Sequence, residues 1–269
     1  MEEITKGTLL IIGGAEDKNS DCVILKKLVD LAKMREGRIV VLTAATEYPE
    51  SVARAYIDVF QRLGADNANA IHIQSRDGAN GLDISREIAK ASCIYMTGGD
   101  QLRITSIMGG TKAERALYDA FYNGAVIAGT SAGASVMSET MITSGNDEDA
   151  PRKCTLKMAP GLGLLKDVVI DQHFAQRGRI GRLLTAIAQN PHVLGIGIDE
   201  DTGIVVNEDS IFEVIGSHAV TVMDGIHSSH SNVSELEPDE ILAFTNIKMD
   251  VLPAGYKYNI KEREPILRR

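Results

Sequence analysis

The chain has 269 residues, 44% of them hydrophobic and 24% charged, with 25 glycines and 7 prolines, an ordinary globular composition that excludes disordered, collagen-like and disulfide-scaffold classes. Its 37 Asp and Glu against 28 Lys and Arg give a net charge of -9, which argues against a basic face for nucleic acid or an anionic membrane and suits a cationic ligand. The length allows one large domain or two small ones at about 100–200 residues each; no linker interrupts the pattern, so residues 1–269 are read as a single domain.

Taken in order, Thr8–Gly13 reads as a buried strand, and Ser20–Met34 places Val23, Leu25, Leu28, Leu31 and Ala32 at near-helical spacing. Further strands are predicted at Arg38–Thr43, Asn69–Ile73, Ser92–Met96 and Ala125–Ala128, with helices between them at about Pro49–Leu63, Asp83–Ala91 and Lys112–Tyr122. Strands that are apolar on both faces, alternating with helices, predict an α/β fold with a mostly parallel central sheet covered on both sides. After about residue 200 the pattern changes. Gly203–Asn207, Ser210–Gly216 and Ala219–Asp224 are short runs joined by turn residues, which predicts additional antiparallel hairpins at the edge of the same domain. The polar stretch His227–Glu240 reads as an exposed loop.

Cys22, Cys93 and Cys154 are widely spaced and form no C-x-x-C pair, so neither a disulfide framework nor a zinc knuckle is readable and a reducing compartment is expected. The opening Met1-Glu2-Glu3-Ile4-Thr5-Lys6-Gly7 carries acids where a signal peptide has a basic start, and no apolar run of about 18 residues occurs. Cytoplasmic location without a membrane partner is the expectation. His227 and His230 are three apart but have no evident third ligand, so no metal site is assigned.

The most informative segment is Gly129-Thr130-Ser131-Ala132-Gly133, a G-x-S-x-G pattern between a strand and a helical stretch, where a tight turn projects a nucleophilic serine. Side chains at Gly129 or Gly133 would crowd that turn, and the helix starting there offers free backbone N–H groups to an oxyanion. A plain strand–helix turn with a serine cap is the bland alternative. A base is available in His173, which follows the apolar run Val168–Ile170 where open α/β sheets place ligand-binding groups. An orienting acid is available in any of Asp199, Glu200 and Asp201, directly after another apolar run. Gly13-Gly14 and Gly98-Gly99 end the first and fourth strands at the same edge, without phosphate-loop spacing. Arg177, Arg179 and Arg182 lead into a helix from its positive end, an unfavourable place for solvated arginines and a suitable one for binding carboxylates.

Five ordered motifs, Gly13–Lys18, Thr97–Arg103, Gly129–Ser135, Asp171–Phe174 with the three arginines, and Gly197–Thr202, together resemble the cyanophycinase family of serine peptidases, which also includes aspartyl dipeptidase. The resemblance spans about residues 7 to 224. It implies a fold similar to class I glutamine amidotransferases, with serine on the nucleophile turn. It also implies a Ser131–His173–Glu200 triad, oxyanion donors at the Gly99 and Ala132 amides, and a substrate pocket of Gln101, Asp171, Gln172, Arg177, Arg179 and Arg182. No cofactor or metal is implied. The implied substrate is cyanophycin, a polyaspartate whose side-chain carboxylates carry arginine, cut to β-aspartyl-arginine dipeptides; a homodimer is also implied. The alternative within the family is an α-aspartyl dipeptidase using the same triad.

Overall fold

In the computed structural model, which describes residues 7–145 and 150–267, the first half follows the predicted alternation. The order is β1 (Thr8–Ile12), α1 (Val23–Lys33), β2 (Ile39–Leu42), α2 (Pro49–Arg62), β3 (Ala68–Ile71), α3 (Arg76–Ala79), α4 (Leu82–Ala89), β4 (Cys93–Met96), α5 (Gln101–Met108), α6 (Lys112–Tyr122) and β5 (Val126–Thr130). Strands β1, β5, β4, β2 and β3 lie side by side in that order, all parallel. Their side chains divide by the two-residue period of a strand. Leu10, Ile12, Ile39, Val41, Cys93 and Tyr95 pack on one face with Leu25 and Leu28 of α1 and Phe60 of α2. Leu9, Ile11, Val40, Leu42, Ile94 and Met96 pack on the other with Ile88 of α4, Ile104 of α5 and Leu117 of α6. Helix α5 is absent from the periodicity reading; its start is set by Asp100, whose side chain accepts from the Leu102 and Arg103 amides.

The second half runs α7 (Ala132–Ser135), β6 (Thr140–Gly145), β7 (Leu156–Pro160), β8 (Val168–Gln172), a 3-10 turn (Ala175–Arg177), α8 (Ile180–Gln189), β9 (Leu194–Ile198), β10 (Thr202–Val206), β11 (Ile211–Gly216), β12 (Ala219–Asp224), β13 (His230–Ser231), β14 (Phe244–Thr245), β15 (Lys248–Pro253), β16 (Lys257–Asn259) and β17 (Glu264–Ile266). Strands β10, β11, β16 and β17 extend the central sheet antiparallel beyond β1, giving nine strands among the described residues. Strands β8, β9, β12 and β15 form a second sheet in which β8 and β9 are parallel. One apolar cluster joins the two sheets, containing Ile11 and Ile127 of the first and Ile170, Ile196 and Val222 of the second.

One expectation is corrected here. Gly203–Asn207 and Ser210–Gly216 do form a hairpin, but Ala219–Asp224 does not continue it; it crosses to the second sheet and pairs with β9 and β15. The crossing is fixed by polar bonds at the turn. The Ser217 amide donates to the Asp201 carbonyl at 2.8 Å, and the Ala219 amide donates to Asp199 Oδ2 at 3.2 Å, drawing the chain alongside the end of β9. The segment His227–Glu240 is largely exposed, interrupted by the two-residue pairing of β13 with β14.

Candidate active site

The carboxyl ends of the two sheets meet, and the meeting is stitched by backbone hydrogen bonds. Across the junction the His173 amide donates to Gly13 O at 2.8 Å and the Asp201 amide to Gly14 O at 2.9 Å, while the Ser131 amide donates to Ile12 O at 3.0 Å within the central sheet and the Phe174 amide to Ile198 O at 3.2 Å within the second. Residues distant in sequence are thereby held within side-chain reach.

Ser131 sits between β5 and α7 with φ 53° and ψ -110°, a sparsely populated conformation for a non-glycine residue that costs on the order of 1–3 kcal/mol and is held by its surroundings. A Cβ on Gly129 would lie 2.3 Å from the Gly133 carbonyl oxygen, and one on Gly133 would lie 2.3 Å from the Met96 carbonyl oxygen. The tightness of the turn therefore follows from the two glycines of the pattern. Ser131 Oγ lies 3.0 Å from His173 Nε2, and His173 Nδ1 lies 2.6 Å from Glu200 Oε1. This continuous line lets Nδ1–H donate to the carboxylate while Nε2 faces the hydroxyl. Burial lowers the His173 pKa below 6.5, the Arg177 and Arg179 charges act in the same sense, and the hydrogen bond and charge of Glu200 oppose them. The imidazole is thus neutral at pH 7, the form that accepts a proton.

Of the three consecutive acids, Glu200 is the one on the imidazole. Asp199 is buried and accepts from the Ala175 and Ala219 amides, and Asp201 accepts from the Asp17 amide and the Ser217 hydroxyl. Glu200 is itself oriented by Gln176, whose Oε1 accepts from the Glu200 amide at 2.9 Å. Gly14 makes room for the base. A Cβ there would lie 2.3 Å from His173 Cε1, and the residue has φ 103°.

The remaining predicted residues fall in two groups. Gly98 and Gly99 follow β4 beside the nucleophile, where a Cβ on Gly98 would lie 3.4 Å from that of Ser131. Ala132 opens α7, so its amide faces the same side of the turn as other first-turn N–H groups. On the far side of His173, Asp171 is buried and receives Arg182 through Nε at 2.9 Å and Nη2 at 2.5 Å, with Arg179 Nη1 at 3.4 Å. Arg179 also donates to the Gln172 carbonyl at 2.6 Å and to its side-chain oxygen at 3.2 Å. Asp171 is therefore engaged by arginines of its own chain, which explains how two guanidinium groups stand at the positive end of α8. Arg177 is exposed beside His173, and Gln101 Nε2 donates to the Ile142 carbonyl at 2.9 Å, tying α5 to β6.

Glu16 was given no role by the sequence, yet it lies under the nucleophile turn. It is 3% exposed, accepts from Thr130 Oγ1 at 2.7 Å, Tyr56 Oη at 2.5 Å and Tyr95 Oη at 3.0 Å, and pairs with Lys18 Nζ at 3.1 Å. Thr130 directly precedes Ser131. The signal that could have found it is an acid two residues after Gly13-Gly14 at a strand end; what hid it is that its hydroxyl partners come from three separate distant segments.

Residues 9–214 match peptidase family S51. The chain belongs to peptidase family S51. Among similar proteins, this S51 chain is 35% identical to a cyanophycinase from Geminocystis herdmanii over 99% of its own length and 98% of that protein's. It is 34% identical to a cyanophycinase from a Nostoc species, over 97% and 88% of the respective lengths. The crystal structure of a peptidase from an acI-B1 Actinobacterium superimposes with a TM-score of 0.73 at 19% identity, covering 96% of this chain and 98% of that one. The fold is thus shared with that peptidase across nearly the full length. It is a serine-type peptidase framework. Among the described residues no helix is long and apolar enough to cross a membrane, and no group of three or more His, Cys, Asp or Glu is placed to hold a metal ion.

Proposed function

We propose that this chain is a serine exopeptidase that hydrolyses cyanophycin to β-aspartyl-arginine dipeptides. The observation that carries this reading is the hydrogen-bonded line Ser131–His173–Glu200 on an S51 framework, with full-length similarity to cyanophycinases in support. Ser131 Oγ attacks the carbonyl carbon as its proton passes to His173 Nε2, and Glu200 stabilises the imidazolium. The oxyanion is received by the Gly99 and Ala132 amides. The C–N bond then breaks, His173 protonates the leaving amine, and a water deprotonated by His173 attacks the acyl ester, returning a proton to Ser131.

Each repeat of the polymer presents a guanidinium and a free α-carboxylate. Arg177, exposed beside the base, is assigned to a substrate carboxylate. Gln101 and Gln172 offer amide groups to the same pocket. Asp171 acts by holding Arg179 and Arg182 in the wall, where they set its charge and shape. A homodimer working in the cytoplasm completes the proposal. The outermost strand of the second sheet exposes Met249 and Val251, and the exposed thiol of Cys154 suits a reducing compartment.

The test is incubation of the protein and its Ser131→Ala variant with insoluble cyanophycin and, separately, an α-aspartyl dipeptide, with products identified by mass. Release of β-aspartyl-arginine by the unaltered protein alone is expected. Cleavage of the dipeptide only moves the chain to an aspartyl dipeptidase, and an active Ser131→Ala variant removes the nucleophile assignment.

A further inference from the structure

A cavity of about 820 Å³ lies on the same carboxyl edge of the central sheet, its wall including Ala45, Glu47, Gln74, Asp100, Arg103 and Pro160. Ala45 follows β2, Gln74 follows β3 and Asp100 follows β4, so successive strand ends build it. One of its lining residues adjoins the segment beside the nucleophile. The Asp100 amide donates to the Ala45 carbonyl at 3.0 Å, and Asp100 stands two residues from Gly98, the glycine that abuts Ser131. None of Ser131, His173 or Glu200 lines it, which places it beyond the groups that flank the bond being cut.

The chemistry of its wall is specific. Arg103 donates Nη2 to Gln74 Oε1 at 2.7 Å, which fixes one edge of the guanidinium. Its Nε is buried and has no acceptor among the described residues. A guanidinium in the wall of a cavity is suited to a carboxylate, which it receives in a paired geometry. Asp100 is occupied by capping α5, whereas Glu47 stands exposed on the rim. The cavity thus carries a guanidinium fixed along one edge and a carboxylate open to solvent.

We infer that this cavity is a distal subsite for a β-aspartyl-arginine repeat of a branched polymer, with the repeat's α-carboxylate on Arg103 and its guanidinium at Glu47. The inference builds on the hydrolytic reading above and adds a length preference to it. Its volume lies within the roughly 300–1,000 Å³ usual for a small-ligand site. A chain long enough to reach from Ser131 past Gly99 is bound by both the catalytic region and the distal cavity, and a substrate of two repeats is bound by the first only.

The experiment compares kcat/KM on synthetic β-aspartyl-arginine dimers and tetramers for the unaltered protein, Arg103→Met and Glu47→Lys. The tetramer is expected to be favoured about tenfold, the equivalent of one ion-paired contact, and both variants are expected to lose that advantage while cleaving the dimer at the original rate. Glu47 is exposed, so its variant keeps the test valid if Arg103→Met proves poorly folded. Equal cleavage of dimer and tetramer by the unaltered protein overturns the subsite while leaving the hydrolytic reading standing. So does an unchanged length preference in the variants, or a loss that falls equally on both substrates. Failure of the unaltered protein to cut either oligomer removes the hydrolytic reading and the subsite together.

Discussion

His173 stands in surroundings that oppose its protonation: burial first, then the charges of Arg177 and Arg179, against the pull of Glu200. A base with a lowered pKa stays neutral to lower pH, so the acidic limb of kcat is expected below pH 6.5. Arg177→Gln removes a positive charge, favours the imidazolium and should move that limb to higher pH; Glu200→Gln removes the opposing influence and should move it lower while reducing kcat. Profiles of kcat against pH, taken at saturating substrate to separate binding, check both directions. Glu16 is the second residue whose ionisation matters. Burial alone would raise its pKa, but Lys18 and the hydroxyls of Thr130 and Tyr56 more than offset this and hold it below 4.5. Its contribution to stability is therefore present above pH 4.5 and disappears as pH falls through the lowered folded value. Glu16→Gln puts an amide N–H where hydroxyls donate, which should cost about 1–3 kcal/mol at neutral pH. Thermal melts at pH 7 measure that loss, and kcat of the surviving fold reports how far Thr130 steadies Ser131.

At the scale of elements, the parallel strands were legible because each is a short apolar run closed by glycine or polar residues, as in Thr8–Gly13 and Ser92–Met96. The nucleophile turn was legible because Gly129 and Gly133 leave a pattern that steric crowding demands. Strand pairing was not legible for Ala219–Asp224, since proximity in sequence favours a hairpin and the bonds to Asp199 that divert it join segments 20 residues apart. Nor did the sequence separate Asp199, Glu200 and Asp201, because only the left-handed backbone of Asp201 and the turn after β9 determine which acid faces the imidazole. The sequence presents the arginine pair at α8 as a carboxylate site and Asp171 as a separate substrate contact; that the two meet depends on β8 and α8 packing together. The loop after β1 offers the sharpest test at this scale. Gly14→Ala places a methyl against the imidazole of His173 at a backbone φ of 103°, and because an ångström of misplacement can cost about 100-fold in rate, kcat of the folded variant should fall by that order, with a lowered melting temperature from the strained backbone.

Across the whole molecule, the second sheet leaves its outer strand uncovered, with Met249 and Val251 both more than half exposed. Val251→Lys is expected to convert a dimer to monomers in size-exclusion chromatography, and a monomeric unaltered protein removes that surface from the dimer proposal. The stitched boundary between the sheets has a different consequence. The hydroxyl comes from the central sheet and the imidazole and carboxylate from the second, and the 3.0 Å bond between Ser131 and His173 spans the two. Catalysis therefore reports the mutual alignment of two halves rather than the integrity of either. On warming, a slight slippage along the boundary breaks the proton path while the apolar cluster shared by the two sheets still holds, so enzymatic inactivation should precede the cooperative loss of secondary structure. Recovery of activity on cooling from that interval would show a reversible loss of alignment, and it is read by assaying aliquots along a circular-dichroism melt.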